Sequence, residues 1–299
     1  MASPFLADLF ESHRTHLLSV AYRLTGSVGD AEDAVQESWL RMAGVHQSEI
    51  DDLRAWLTTV VSRICLDHLR SAAVRRETYV GQWLPEPIVS AVTSSRTPDP
   101  LDVVVRDADS RMAAMVVLDA LTPQQRVALV LHEGLGVPFG EIAEILGVSA
   151  DAARQLAVRA RRAVAAAPEP VADDVHDHAV RRFLAALSTG DVAAVAATLH
   201  PDATFTADAG GTTKTALNVV AGQEKIARLA LGLWRKHQEE PGLELGAATV
   251  NGQSGLVLTD PNSPFGRPVR VLAFTVRDGK IWATYDFANV AKLSGARLR

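Results

Sequence analysis

The sequence is poor in cysteine and in long apolar runs, and each shortage excludes a class of protein. Its single cysteine, Cys65, cannot form an internal disulfide, which is typical of a reducing compartment. No stretch approaches the roughly 18 uninterrupted apolar residues of a transmembrane helix. The first residues carry Asp8 and Glu11 instead of a basic segment followed by an apolar run, so we expect no secretory signal. These shortages predict a cytoplasmic protein with no membrane partner.

Lysine is also scarce, and its distribution divides the chain. All five lysines lie beyond residue 200, whereas residues 1–168 hold 16 arginines against 21 acidic residues. Within this acidic part, residues 54–76 and 150–162 form basic islands that contain five and four arginines. Basic islands on a chain of net charge −5 favour nucleic-acid contact confined to particular helices. The alternative is that both islands are ordinary solvated helix faces.

The length of 299 residues and the hydrophobic fraction of 47% predict two ordinary domains or three small ones. Apolar residues recur at helical spacing over residues 4–26, 30–44 and 51–73, which predicts three helices that share one core within residues 1–76. Residues 77–108 contain four prolines and therefore predict a linker.

The linker carries apolar side chains that are costly to leave in water. Trp83 and Leu84 lie in this otherwise solvated stretch, so we expect them to dock on a partner surface. Pro85 and Pro87 stiffen the segment and lower the entropy lost when it is held. The plainer alternative is a loop tucked onto its own domain.

Residues 109–167 form a second helical module that ends in a helix-turn-helix pattern. Ala143 permits two helices to cross closely, Gly147 permits the tight turn, and Ser149 can cap the second helix. The alternative is an amphipathic helical hairpin with no DNA role. Arginine and glutamine are suited to base edges and phosphates, and the outward face of the second helix offers Arg154, Gln155, Arg159 and Arg162.

Residues 174–299 predict helices followed by an antiparallel sheet, an α+β module of the kind that can wrap a pocket. Strands are predicted at 243–250, 253–260, 269–277 and 280–288, with Asn-Gly and Asp-Gly turns between paired strands. The nine histidines and one cysteine show no ligand spacing, so we expect no metal and no cofactor. The candidate polar residues of a pocket are His200, Asp208, Tyr285 and Asp286. Their spacing does not indicate acid–base chemistry, so we predict that the protein is not an enzyme.

Three segments, at residues 18–42, 53–71 and 121–162, resemble an extracytoplasmic-function RNA polymerase sigma factor. The third module resembles the SnoaL-like branch of the NTF2-like fold. Together with the Trp-Leu-Pro-Glu-Pro sequence at residues 83–87, they resemble the SigJ type of sigma factor. The resemblance implies a multidomain fold, in which two all-α sigma modules, the second with the helix-turn-helix, precede an α+β SnoaL-like cone.

The resemblance also implies partners and roles. Residues 1–76 correspond to sigma region 2, which binds core RNA polymerase through its beta and beta-prime subunits and opens the minus-ten promoter element. Residues 109–167 correspond to region 4, whose second helix reads the minus-thirty-five element through the four residues named above. The implied polymerase-binding residues are Asp30, Glu32, Asp33, Glu37 and Trp39, and the implied minus-ten DNA contacts are Arg54, Arg63 and Arg70.

The SnoaL-like module is implied to regulate the other two through the linker. Its implied contacts pair Trp83, Leu84 and Pro85 with Asp208, Gly210, Gly211 and Lys292. The loop Ala207-Asp208-Ala209-Gly210-Gly211 and the tail Asn289-Val290-Ala291-Lys292 both depart from the family's sequence pattern. The resemblance leaves room for a small-molecule ligand in this module. The alternative function is a ligand-responsive DNA-binding regulator, or a SnoaL-like enzyme fused to helical modules.

Overall fold

The computed structural model describes residues 4–45, 50–76, 79–91, 100–105, 110–165, 169–213, 215–239, 242–262, 268–293 and 296. The chain divides into two compact units. The helical unit comprises Met1–Glu77, Thr97–Ser110 and Ala114–Ala167, and the sheet unit comprises Thr78–Arg96, Arg111–Ala113 and Pro168–Arg299. Among the described residues, no helix has both the length and the apolar character needed to cross a bilayer.

The helical unit begins with α1 (Pro4–Thr25), α2 (Val28–Ala43) and α3 (Leu53–Arg76), which pack on one another. Gly26 separates the first two helices with a φ of 69°, a conformation that favours glycine. The Ser27 hydroxyl then caps α2 by accepting a hydrogen bond from the Asp30 amide. The shared core of the three helices contains the fully buried side chains of Leu17, Tyr22 and Leu57. The predicted three-helix core is present.

The second part of this unit contains α4 (Pro100–Val104), α5 (Met112–Asp119) from Ala114 onward, α6 (Pro123–Leu135), α7 (Phe139–Leu146) and α8 (Ala150–Val164). Gly147 ends α7 in the left-handed conformation, and the Ser149 hydroxyl caps α8 by accepting from the Ala152 amide. The turn and cap therefore lie where the helix-turn-helix pattern predicts them. Within this unit α3 also packs against α6 and α7.

The sheet unit contains α9 (Asp173–Thr189), α10 (Val192–Thr198), β2 (Leu199–Asp208), β3 (Val220–Ala221), α11 (Gln223–Glu239), β4 (Glu244–Val250), β5 (Gln253–Thr259), β6 (Pro268–Arg277) and β7 (Lys280–Phe287). The last four strands form the predicted antiparallel meander. The sheet as a whole is mixed, because β2 pairs with β7 in parallel. This α+β architecture confirms the predicted fold class.

Helices α9 and α11 position the core of the sheet unit. Their apolar faces, which include Phe183 and Ile226, pack with Phe205 and Phe274 from the sheet. The Phe183 and Phe274 rings meet edge to face with centroids 5.8 Å apart. The core therefore lies between the sheet and these helices, and the strand ends remain available to hold other residues.

A segment that the sequence predicts as linker forms the edge of this sheet. Strand β1 (Val89–Ala91) pairs antiparallel with β4, and the seven strands follow the order β1-β4-β5-β6-β7-β2-β3. Just before β1, the Ile88 amide donates to the Asn251 side chain over 3.0 Å. The Asn251 amide returns a hydrogen bond of 2.8 Å to the Ile88 carbonyl. Residues 88–91 are thus fixed to the sheet by the backbone pairing of β1 with β4 and by two hydrogen bonds with Asn251.

Candidate functional site

The second helix of the helix-turn-helix, α8, separates an alanine face from an arginine face. Ala153, Ala157 and Ala160 are buried, because small side chains let α8 cross its neighbours closely. The opposite face is exposed and carries Arg154, Gln155, Arg159 and Arg162. The structure therefore brings the four predicted base- and phosphate-contacting side chains to one solvent-facing surface.

Arg154 is held at the start of this face by two contacts. Its guanidinium lies 2.8 Å from the Asp151 carboxylate and 5.4 Å from the centre of the Phe139 ring. The arginine side chain remains 56% exposed, and an exposed ion pair of this kind contributes about 1 kcal/mol at most. The contacts orient Arg154 without preventing it from reaching another partner.

The three predicted DNA-contacting arginines of α3 are all exposed, and each has a described partner. Arg54 lies 3.3 Å from the His16 imidazole, and Arg70 lies 3.4 Å from the Asp67 carboxylate. Arg63 donates to the backbone carbonyl of Glu144 in α7 over 3.3 Å. The Arg63 contact joins the two helical modules within the helical unit, a partnership that the sequence does not indicate.

The predicted polymerase-binding residues of α2 differ in exposure. Glu32 and Asp33 are exposed, Asp30 is half-buried, and Glu37 forms an ion pair of 2.5 Å with Arg41. Trp39 is half-buried, with its ring 5.2 Å from that of Phe10 in α1. The next residue, Leu40, is 65% exposed and was not among the predicted contacts. An apolar residue on the charged face of the helix was the signal that could have identified it.

Within the sheet unit, the buried carboxylate of Asp208 binds the segment that precedes β1. It accepts hydrogen bonds from the Tyr79 hydroxyl and, over 2.8 Å, from the Leu84 amide. Burial and this hydrogen bond to Asp208 raise the pKa of Tyr79, so the phenol keeps its proton and donates. Asp208 therefore holds two points of the segment at the end of β2.

Lys292 completes this contact from the end of the chain. Its ammonium, on a side chain only 5% exposed, lies 2.6 Å from Asp208 and 2.5 Å from the Leu84 carbonyl oxygen. The same ammonium lies 3.2 Å from the centre of the Trp83 ring, a cation–π contact. Four predicted residues thus meet at one buried cluster, which we call the linker-docking cluster: Trp83, Leu84, Asp208 and Lys292.

The predicted glycines and proline flank the linker-docking cluster. Pro85 is buried next to Leu84. Gly210 adopts a φ of 54°. A Cβ there would lie 2.5 Å from the side-chain amide nitrogen of Asn289 and 3.1 Å from the Tyr79 hydroxyl. A Cβ on Gly211 would meet Val80 at 3.4 Å. Tyr79, which the prediction omitted, also accepts a hydrogen bond of 2.9 Å from Asn289, so it is central to the contact.

Comparison with known proteins accounts for all three modules. Family models match residues 9–75 as Sigma-70 region 2, residues 111–164 as Sigma-70 region 4, and residues 180–284 as a SnoaL-like domain. The ECF RNA polymerase sigma factor SigJ of Mycobacterium tuberculosis is 51% identical, over 97% of this chain and 94% of its own length. The chain belongs to the extracytoplasmic-function RNA polymerase sigma factors. It is of the SigJ type, as the sequence predicts.

A further relative and a solved structure fit this assignment. The probable ECF sigma factor SigI of M. tuberculosis is 35% identical over 96% of this chain and 94% of its own length. The crystal structure of M. tuberculosis SigJ matches with a TM-score of 0.80 at 47% identity, covering 98% of this chain and 100% of that chain. As a sigma factor, this protein directs core RNA polymerase to specific promoters for transcription initiation. The predicted partners, RNA polymerase and promoter DNA, follow from the family.

Proposed function

We propose that the SnoaL-like module tunes the sigma factor in cis by holding residues 79–91. The observation that carries this proposal is the position of Lys292, whose buried ammonium contacts the Leu84 carbonyl, the Asp208 carboxylate and the Trp83 ring. Residues 79–91 connect in sequence to the two DNA-reading modules. A docked segment limits how far those modules can separate, and an undocked segment lets them move apart.

The linker-docking cluster defines two states of residues 79–91, docked and undocked, and the buried ion pair contributes to the free-energy difference between them. Loss of one partner from a buried ion pair costs about 3–5 kcal/mol, because the other charge remains in a low-dielectric site. Pro85 and Pro87 reduce the entropy that docking must overcome. A differential binding free energy of comparable size at the linker-docking cluster is therefore needed to shift the docked population.

We assign the promoter and polymerase contacts to the exposed faces described above. In α3, Arg54, Arg63 and Arg70 hold phosphates of the minus-ten region. In α8, Arg154 and Gln155 read base edges of the minus-thirty-five element while Arg159 and Arg162 hold phosphates. In α2, the acidic residues and Trp39, with Leu40 added, contact the beta and beta-prime subunits.

We also propose that the SnoaL-like module does no chemistry and instead receives a small-molecule ligand. Its polar candidates serve structural contacts: Asp208 binds the linker, and Asp286 pairs with Arg270 over 3.2 Å. His200 lies 3.5 Å from Asp278, at the turn between β6 and β7. These contacts involve three of the four candidates, and the fourth, Tyr285, is buried with 4% exposure.

Transcription from a cognate promoter with purified core polymerase tests the regulatory proposal. Trp83→Ala and removal of residues 171–299 should each change transcript yield by several-fold, while both proteins still recover polymerase subunits in a pull-down. Lys225→Ala is the matched control, because Lys225 is exposed on α11 and outside the linker-docking cluster. Unchanged yield in both altered proteins would show that the module is a passenger.

A further inference from the structure

Three side chains from α6, α7 and α8 form a continuous line of ring contacts that ends on the exposed surface of the helix-turn-helix. The His132 imidazole stacks on the Phe139 ring, with centroids 3.9 Å apart and an angle of 29° between the ring planes. The Arg154 guanidinium lies 5.4 Å from the centre of the Phe139 ring, within the distance of a cation–π contact. Arg154 therefore lies against an aromatic pair supplied by the two preceding helices.

The turn between α6 and α7 anchors the His132 end of this line. Gly136 ends α6 with a φ of 68°, a left-handed conformation that favours glycine, and its amide donates to the His132 carbonyl over 3.0 Å. The carbonyl oxygen of Val137 lies 3.1 Å from Nδ1 of His132. Because a carbonyl oxygen can only accept, Nδ1 carries the proton and donates this hydrogen bond. The imidazole is thus tied to the backbone of the turn.

Phe139 connects this anchor to the recognition helix. It is the first residue of α7 and is half-buried. The preceding residue, Pro138, has a φ of −62°, which its own ring fixes. An aromatic side chain of this kind has only two rotatable bonds, so stacking on an anchored ring leaves it little freedom. The Phe139 ring therefore presents Arg154 with a surface of fixed orientation.

Asp151 engages one end of the guanidinium and leaves the other edge available. Its carboxylate accepts a hydrogen bond of 2.8 Å from Nη1 of Arg154. Within the described ranges of the chain, Nε and Nη2 of Arg154 make no hydrogen bond. These two nitrogens form an edge of the planar guanidinium that carries two parallel N–H donors. Arg154 is thus oriented by Phe139 and Asp151 while a bidentate edge remains open.

Two parallel donors in a fixed orientation match one base of the major groove. Guanine presents two acceptors, O6 and N7, which arginine binds in bidentate fashion. Adenine presents an acceptor beside a donor, thymine one acceptor and cytosine a donor, so none of them accepts both N–H groups. Attraction to phosphates depends on charge and carries no sequence information. Fixing the guanidinium therefore affects base preference more than overall affinity.

We propose that Phe139, anchored by His132, is a positioning residue that holds Arg154 for bidentate binding to one guanine of the upstream promoter element. The role of Phe139 rests on the function proposed above for α8, which is to read the minus-thirty-five element. It adds the base that Arg154 reads and the side chain that orients Arg154. Phe139 acts through Arg154 and contributes to discrimination between bases.

Holoenzyme binding to a cognate promoter, with each base pair of the minus-thirty-five element replaced singly, tests this assignment. The parent should prefer guanine at one position by about fivefold to 150-fold, and Arg154→Ala should remove that preference. Phe139→Leu keeps an apolar side chain but removes the π face, so it should reduce the same preference by about threefold. The affinity ratios at the other positions should stay within about twofold of the parent values.

Three further variants separate positioning from folding. Phe139→Tyr retains an aromatic face and should keep the preference for guanine. His132→Leu removes the anchor and should reduce the preference in the same direction as Phe139→Leu does. Ile142→Val takes one methylene from a fully buried side chain of α7, so it perturbs packing and should leave the ratios between bases unchanged. Thermal melts establish that each variant is folded at the temperature of the binding assay.

The outcomes distinguish the role of Phe139 from the assignment of α8. An unchanged guanine preference in Phe139→Leu, or equal weakening at every base, would overturn the positioning role while Arg154→Ala still supports the placement of α8. An unchanged preference in His132→Leu would refute the anchor, and a preferred base other than guanine would refute the bidentate match. If Arg154→Ala alters no base preference, the assignment of α8 fails as well. The transcription test of linker docking changes neither Phe139 nor Arg154, so its result is independent.

Discussion

Replacing Lys292 with methionine isolates the contribution of its charge to linker docking. Methionine is similar in length and unbranched, so the change removes the ammonium while keeping most of the packing. In the parent the Lys292 ammonium lies 2.6 Å from the Asp208 carboxylate and 2.5 Å from the Leu84 carbonyl oxygen. The Lys292 side chain is 5% exposed and the Asp208 side chain is 0% exposed. The variant leaves a buried carboxylate without its cation.

The expected cost lies at the lower end of the range for a broken buried pair. Such losses are about 3–5 kcal/mol, and Asp208 keeps its hydrogen bonds from Tyr79 and Leu84. A cost of about 3 kcal/mol corresponds to roughly a hundredfold increase in the open population. Exchange of the Leu84 amide, which donates to Asp208, should therefore speed up by about that factor, as hydrogen-exchange mass spectrometry or NMR can measure.

Two further variants test whether the ion pair between Lys292 and Asp208 holds the linker. Adding Asp208→Asn to Lys292→Met should restore part of the lost protection, since removing both charges leaves no uncompensated ion. In the control variant Lys225→Ala, the Leu84 amide should exchange at the parent rate. If Leu84 in Lys292→Met exchanges as slowly as in the parent, the ion pair does not hold the linker.

Arg154→Ala should reduce the binding free energy of the holoenzyme by about 1–3 kcal/mol through the loss of discrimination at one upstream base position. Arg162→Ala should weaken binding to all promoters about equally, and holoenzyme binding to single-base promoter variants distinguishes these results. Burial, reinforced by a nearby arginine, lowers the pKa of His16 from 6.5 to about 4. Between about pH 4 and 6.5 the unfolded chain therefore binds more protons than the folded chain does. Urea titrations should show the free energy of unfolding rising with pH over this range, and His16→Gln should flatten the rise. In thermal melts, Gly255→Ala should destabilise by about 1–3 kcal/mol, because its Cβ meets a carbonyl oxygen of the next strand at 2.6 Å. Gly232→Ala, whose Cβ meets nothing within 4 Å, should stabilise α11 by up to about 1 kcal/mol.

Elements with local signals could be predicted from the sequence. Asn251 and Asp278 each precede a glycine and adopt φ values of 49° and 50°, as the tight hairpin turns that they predict require. Ser149 caps α8 through its own hydroxyl, a signal contained within four residues. The predicted exposure of Arg154 also follows from helical periodicity alone.

Pairings between distant residues could not be predicted in this way. Strand β1 is three residues long and is defined by its partner β4, about 160 positions away in the chain, so no local pattern identifies it. The parallel pairing of β2 with β7 is equally non-local and makes the sheet mixed. The contact between Arg63 and Glu144, and the place of Tyr79 beside Asp208, depend on the same long-range packing.

Transcript yield from a cognate promoter, compared between the parent and Lys292→Met at equal polymerase occupancy, tests most directly whether docking of residues 79–91 tunes the sigma factor. Transcript yield should change by more than about threefold in the same variant in which exchange of the Leu84 amide speeds up. Lys225→Ala should leave both quantities unchanged. Equal yield from the parent and Lys292→Met, measured while the Leu84 amide of the variant exchanges faster, would show that docking of residues 79–91 does not tune the sigma factor.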